Sequence, residues 1–191
     1  MKSGPDKIGR PRRYDLAPIP NFANRELALQ AAWLRELAER VYDQIADLPL
    51  EILDQVPGGT RLSIARLVVH LAWAEASWVR KLTGRAWPED LAPTLERGKL
   101  GEFDKAPESI GPAGTLIAFC RRVQERYTAP ALAEVSDIDT PLQAGGRTVN
   151  VRGVLAQLYW HWCYHSGQIG LLRLLAGSDY QWTNEAIVGS A

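Results

Sequence analysis

The chain contains three histidines, His70, His161 and His165, and their placement is the feature that could do chemistry. His161 and His165 stand four apart in Trp160-His161-Trp162-Cys163-Tyr164-His165. On a helix of 3.6 residues per turn, positions four apart point in nearly the same direction, so both imidazoles can reach one ion. His70 lies between Val69 and Leu71 in a second apolar segment. A helical HxxxH pair alone is a weak motif, and a hydrogen-bonded core histidine is the plain alternative. Three imidazoles on core-forming helices raise the stakes, because each buried ring needs a hydrogen-bond partner or a ligand role. One shared metal would satisfy all three. Neutral imidazoles without thiolate suit zinc, nickel, iron or copper better than magnesium or calcium. Three protein ligands leave a coordination position open, as in catalytic zinc sites, so that bound water or a thiol can be activated.

The neighbouring residues divide by their angle around the helix. Gln168, three beyond His165, can orient a ligand or bound water, or brace the helix against the segment before it. Tyr164, three beyond His161, can reach the open side. Cys163 is turned about 200° from His161 and reads as a packed core thiol facing away from the metal. Glu75 is five beyond His70, turned well away from it, and could pair with a base elsewhere in the core. Trp73 and Ser77 lie one and two turns beyond His70 and could line a pocket. Gly167 reads as a site of close helix packing. The aromatic cluster Tyr159, Trp160, Trp162 and Tyr164 reads as core and dimer surface.

The elements that must position these residues are helical. Leu27, Ala31, Leu34, Ala38, Val41 and Ile45 recur at helical spacing from Asn24 to about Leu48, ended by Pro49. Ser63 caps a second helix, apolar on most of its surface, that runs to about Leu82 and stops at Gly84. Residues 84–111 form a long Pro- and Gly-containing connection. A third helix runs from about Pro112 to Glu134, with Pro130 kinking it or opening its last segment. A short hairpin around Gly145-Gly146 precedes a fourth helix, capped by Asn150 and ended at Gly177. The expected architecture is all-α: a four-helix bundle over 21–180, with a long crossover loop and a minor hairpin before the last helix. Residues 1–20 read as an extended or disordered basic arm, and 181–191 as a C-terminal tail.

Composition narrows the function classes. Lysine plus arginine equals aspartate plus glutamate at 22 each. A protein that grips the phosphate backbone usually has a basic excess, so nucleic acid is not an expected partner. No apolar run approaches the roughly 18 residues of a membrane span. The N-terminus carries no apolar run behind its basic residues, and the two cysteines form no CxxC pair. The expectation is a cytoplasmic protein acting on a small molecule.

The segments Leu62-Ser63-Ile64 through Leu67-Val68-Val69-His70-Leu71 and His161-Trp162-Cys163-Tyr164-His165-Ser166-Gly167-Gln168-Ile169 resemble the DinB family. Similar proteins carry one histidine in the second helix and an HxxxH followed by Gly-Gln in the fourth. The Pro57-Gly58-Gly59 loop and the hairpin-like segment before Asn150 extend the resemblance over most of residues 23–177. It implies a four-helix bundle, often dimeric, with a divalent transition metal (Zn, Ni or Fe) held by His70, His161 and His165. It also implies a thiol S-transferase or isomerase using a low-molecular-weight thiol, or a metal-dependent hydrolase. Proteins of ergothioneine biosynthesis carry a similar bundle joined to a second catalytic domain, for which this chain is too short. Ser166 departs from the arginine common after the second histidine. The expectation is therefore an open three-histidine site activating water or a small thiol, with Gln168 and Tyr164 beside it. The alternative is a non-catalytic dimeric metal-binding protein.

Overall fold

The computed structural model describes residues 5–11, 13, 15–58, 60–99 and 110–183. Near the N-terminus a two-residue strand, β1 (Lys7–Ile8), is followed by α1 (Arg25–Ile45). The α1 helix starts where the Asn24 side chain accepts a hydrogen bond from the Leu27 backbone N–H at 3.1 Å. Its Leu27, Leu34, Ala38, Val41 and Ile45 face the core. Pro49 ends this run but opens a short helix, α2 (Leu50–Asp54), which periodicity did not reveal because only Leu53 of its five residues is buried. The α3 helix (Ile64–Thr83) begins at Ser63, whose Oγ accepts from the Arg66 N–H at 3.2 Å. It ends at Gly84, where φ is 71° and the Gly84 N–H closes on the Arg80 carbonyl at 2.8 Å.

The connection after α3 is not uniformly loop. It contains α4 (Ala92–Arg97), anchored by the fully buried Leu91 and Leu95, and packed against α3. The middle of the expected connection, residues 100–109, lies outside the described residues. The third long helical run is composite: α5 (Ala113–Val123), a π-helical turn (Gln124–Thr128) and α6 (Ala129–Ala133). Pro130 supplies the reason, since it cannot donate to the carbonyl four residues back and its ring crowds it. The turn widens instead, and the Ala129 N–H reaches the Gln124 carbonyl.

The hairpin is formed by β2 (Leu142–Ala144) and β3 (Arg147–Val149), paired antiparallel with Leu142 opposite Val149. Gly145 and Gly146 take φ of 61° and 76°, the left-handed pair that a tight two-residue hairpin turn requires. Asn150 then caps α7 (Val151–Leu175), accepting from the Gly153 N–H at 2.8 Å. Finally β4 (Tyr180–Gln181) pairs in parallel with β1, so residues 7 and 8 lie alongside residues 180 and 181. Of the expected C-terminal tail, residues 184–191 lie outside the described residues.

The fold is thus mostly helical, as the periodicity implies, with α7 packed against α1 and α3. Leu67, Leu71, Leu116, Val123, Leu155, Trp162 and Ile169 share one apolar core. An unanticipated anchor fixes α7 to α1's end: Arg173 is fully buried, with Nη1 and Nη2 on the Asp47 carboxylate at 2.8 and 2.6 Å and a further bond to the Gln44 carbonyl. Burial works to raise the Asp47 pKa, but the hydrogen bonds and charge of Arg173 hold it below the usual carboxylate range.

Candidate metal centre

Helix α3 supplies His70, and α7 supplies His161 and His165 one turn apart. The three rings meet through their Nε2 atoms. His161 Nε2 lies 3.1 Å from His70 Nε2 and 3.0 Å from His165 Nε2. One ligand nitrogen from each ring lies within 4.8 Å of the other two. Four-coordinate zinc with Zn–N bonds of about 2.0–2.1 Å separates its ligand nitrogens by about 3.3 Å, close to this spacing.

The outer nitrogens decide what the inner ones can offer. His70 Nδ1 donates to the Gly98 carbonyl at 2.9 Å, and His165 Nδ1 donates to Gln168 Oε1 at 2.6 Å. Both acceptors lack a proton, so each ring carries its hydrogen on Nδ1 and presents a bare Nε2 lone pair to the centre. His161 can supply at most one Nε2 proton against two such lone pairs. Its own Nδ1 is buried without a hydrogen-bond partner among the described residues. Burial, reinforced by the neighbouring imidazoles, depresses His70 to about 4 and His161 to about 3; burial lowers His165 as well. At neutral pH the cluster is therefore three uncharged bases aimed at one point. A divalent cation is the partner whose chemistry fits that donor set, and the Nδ1 contacts are of the kind that orient metal-ligating histidines.

The Gly98 carbonyl depends on Gly98 having no side chain. A Cβ there would stand 2.5 Å from the Trp73 Cβ and 2.6 Å from the Val69 carbonyl oxygen. The α4 helix thus delivers a backbone acceptor to His70 through a gap only glycine fits. The sequence reading missed this residue, because a glycine in a long connection carries no sign of which helix its carbonyl will meet. Trp73 also stacks on His70, with centroids 5.5 Å apart and planes at 27°. Ser77 enters none of these contacts.

On the solvent side, Gln168 joins His165 to Tyr164: its Oε1 takes the imidazole proton and its Nε2 donates to the Tyr164 hydroxyl at 3.2 Å. Tyr164 is half-exposed and its ring edges His165 at 5.2 Å. Cys163 does face away from the centre but is exposed, not a packed core thiol; the buried thiol is Cys120. Gly167 has nothing within 4 Å of where a Cβ would be, so no helix among the described residues packs there. Glu75 is buried, and its Oε2 accepts from Trp162 Nε1 at 3.0 Å and Gln124 Nε2 at 3.2 Å, not from a base. Ser166, the family departure, ties α7 to α1 by donating to Gln44 Oε1 at 3.0 Å. Within the aromatic cluster Trp162 is core, Tyr159 is partly buried, and Trp160 is exposed and stacked on Tyr164.

The structure is a mostly helical protein in which two helices bring three neutral imidazoles close enough together to hold a metal ion. More particularly, the mycothiol-S-transferase family model matches residues 29–177, and the chain belongs to that family. This is a DinB-like family of thiol S-transferases, so the resemblance drawn from the histidine segments holds. No curated protein matches the chain. No helix among the described residues is long and apolar enough to cross a membrane.

Proposed function

We propose that this protein is a metal-dependent thiol S-transferase. In this reading a divalent transition ion, zinc, nickel or iron, is held by His70, His161 and His165 within a four-helix bundle of α1, α3, the α5–α6 run and α7. The observation that carries it is the convergence of three Nε2 atoms whose rings are fixed from outside by Gly98 and Gln168. When bound, such an ion acts as a Lewis acid that lowers the pKa of a thiol or water beside it. In the overall transfer the thiol S–H bond breaks and its sulfur forms a bond to an electrophilic carbon. The carbon's leaving group departs with the bonding pair, and the proton passes to solvent.

The chain's own residues prepare that step. His70 and His165, nearly buried, keep water from the inner side, while half-buried His161 marks the open side. Gln168 acts as a positioning residue, setting the His165 ring and holding the Tyr164 hydroxyl as an acceptor. That hydroxyl keeps its own proton available to a substrate. The family match favours a low-molecular-weight thiol over water as the nucleophile. The two described cysteines are unbridged, which suits a reducing cytoplasm.

The same reading includes a homodimer formed through α7. Trp160, Tyr164, Gly167, Leu171 and Leu174 recur at spacings of four and three and are exposed together. A helix apolar all round needs cover on every side. A second copy of α7, approaching closely at Gly167, would cover this stripe and bring the partner subunit beside Tyr164.

The test is consumption of mycothiol with an activated aryl halide, using protein stripped of metal and then reloaded. The expected result is transfer that vanishes on stripping and returns with zinc, nickel or iron. Full activity in the stripped protein, or hydrolysis of an ester panel with no thiol consumed, would overturn the reading.

A further inference from the structure

A cleft of about 580 Å³ is lined by Trp78 of α3, by Arg147, Thr148 and Val149 of the β2–β3 hairpin, and by Gly153, Val154 and Gln157 of α7. This volume falls in the range of small-molecule sites, roughly 300–1,000 Å³. Its wall includes the Trp78 ring with Val149 and Val154, and its polar groups include Arg147 and Gln157. Gln157, the lining residue nearest the histidines in sequence, lies one helical turn before His161 on α7, so the cleft sits further towards the start of α7 than the imidazole centre.

The cleft is positive without a counter-charge of its own. The exposed Arg147 guanidinium forms no ion pair with any carboxylate among the described residues, unlike Arg152 close by, which is committed to Asp139 and Glu26. Lys81 does not line the cleft; its Nζ sits over the Trp78 ring, 4.5 Å from the ring centre and 3.6 Å from where a Gly145 Cβ would be, which leaves the other indole face for a ligand. A planar guanidinium with its forked donors free matches a carboxylate, and an indole face beside it matches a flat unsaturated body.

We propose that this cleft binds the electrophilic acceptor of the transfer reaction, and that the acceptor is a carboxylate with an unsaturated or aromatic body. Its carboxylate pairs with Arg147 and its body lies against Trp78, so that its far end points along α7 towards Gln157 and the histidine end of the helix. The acceptor role rests on the transferase reading above, whereas the binding of such a carboxylate does not.

The experiment is calorimetric titration with para-nitrobenzoate and with its uncharged methyl ester, on the wild type, Arg147→Gln and His161→Ala. The wild type should bind the carboxylate at least about tenfold more tightly than the ester, the preference of one matched charge-assisted pair. Arg147→Gln should abolish that preference, and His161→Ala should retain it. Because Arg147 is exposed, its replacement leaves the fold intact. Equal binding of acid and ester, no binding of either, or a preference that survives Arg147→Gln but is lost in His161→Ala would overturn the proposal. In the last case the carboxylate sits at the imidazoles. A preserved preference in protein that never consumes thiol would remove the transferase reading while leaving the cleft in place.

Discussion

At the scale of single residues, the two outer hydrogen bonds make the imidazole cluster directional. Removing Gln168 frees the His165 ring to rotate and to move its proton to Nε2, where it would block a metal. Gln168→Ala should therefore weaken metal affinity about 10- to 100-fold, the usual cost of losing such a partner, while leaving thermal stability nearly unchanged. Competition against a chromogenic chelator measures it, and unchanged affinity would show that Gln168 does not position the ligand. The spacing of His161 and His165, with His70 on another apolar helix, was enough to single out from the sequence the three imidazoles that the fold brings together. Gln168 was legible as a neighbour but not as a partner of the His165 Nδ1, since that contact depends on rotamers. Gly98 was illegible because its carbonyl meets His70 only through the fold.

Among the elements, α3 carries His70 on one face and a buried carboxyl, Glu75, on another. Burial raises the Glu75 pKa above the usual range, against the hydrogen bonds from Trp162 and Gln124 that favour its charged form. A folded value above the unfolded one means that the native state binds more protons in the interval between them. The stability Glu75 contributes is then fully present below its unfolded pKa and is lost as pH rises through its folded one. Glu75→Gln removes this dependence. Relative to wild type, its unfolding free energy from urea denaturation should improve between pH 5 and pH 8, and a flat difference would contradict a raised Glu75. The helix ends were readable because Asn24, Ser63, Asn150 and Gly84 each perform a capping task written in their chemistry. The π-helical turn was legible only as a proline problem at Pro130. The α4 helix and the β1–β4 pair escaped notice because they are too short for periodicity and draw their stability from distant contacts.

For the whole molecule, the exposed stripe on α7 has consequences for assembly. Leu171 and Leu174 are each 56% exposed, on the same side as Trp160 and Tyr164. Leu171→Glu would place like charges opposite one another across a two-fold contact of this stripe. Sedimentation should show a dimer for the wild type and a monomer for Leu171→Glu, with metal content unchanged in both. A monomeric wild type would contradict the α7 dimer. The all-α class was legible from four apolar stripes and their caps. The exposure of the α7 stripe was not legible, because a stripe left uncovered on its own chain looks in sequence like one that packs on it.

The central claim, that His70, His161 and His165 together hold one divalent ion, is tested most directly by elemental mass spectrometry. The protein should be untagged, never exposed to a nickel column, and compared with His161→Ala. Close to one equivalent of a transition metal per chain is expected in the wild type, and its loss in the variant. A wild type that carries no metal and takes none up on titration would return the three imidazoles to the core and contradict it.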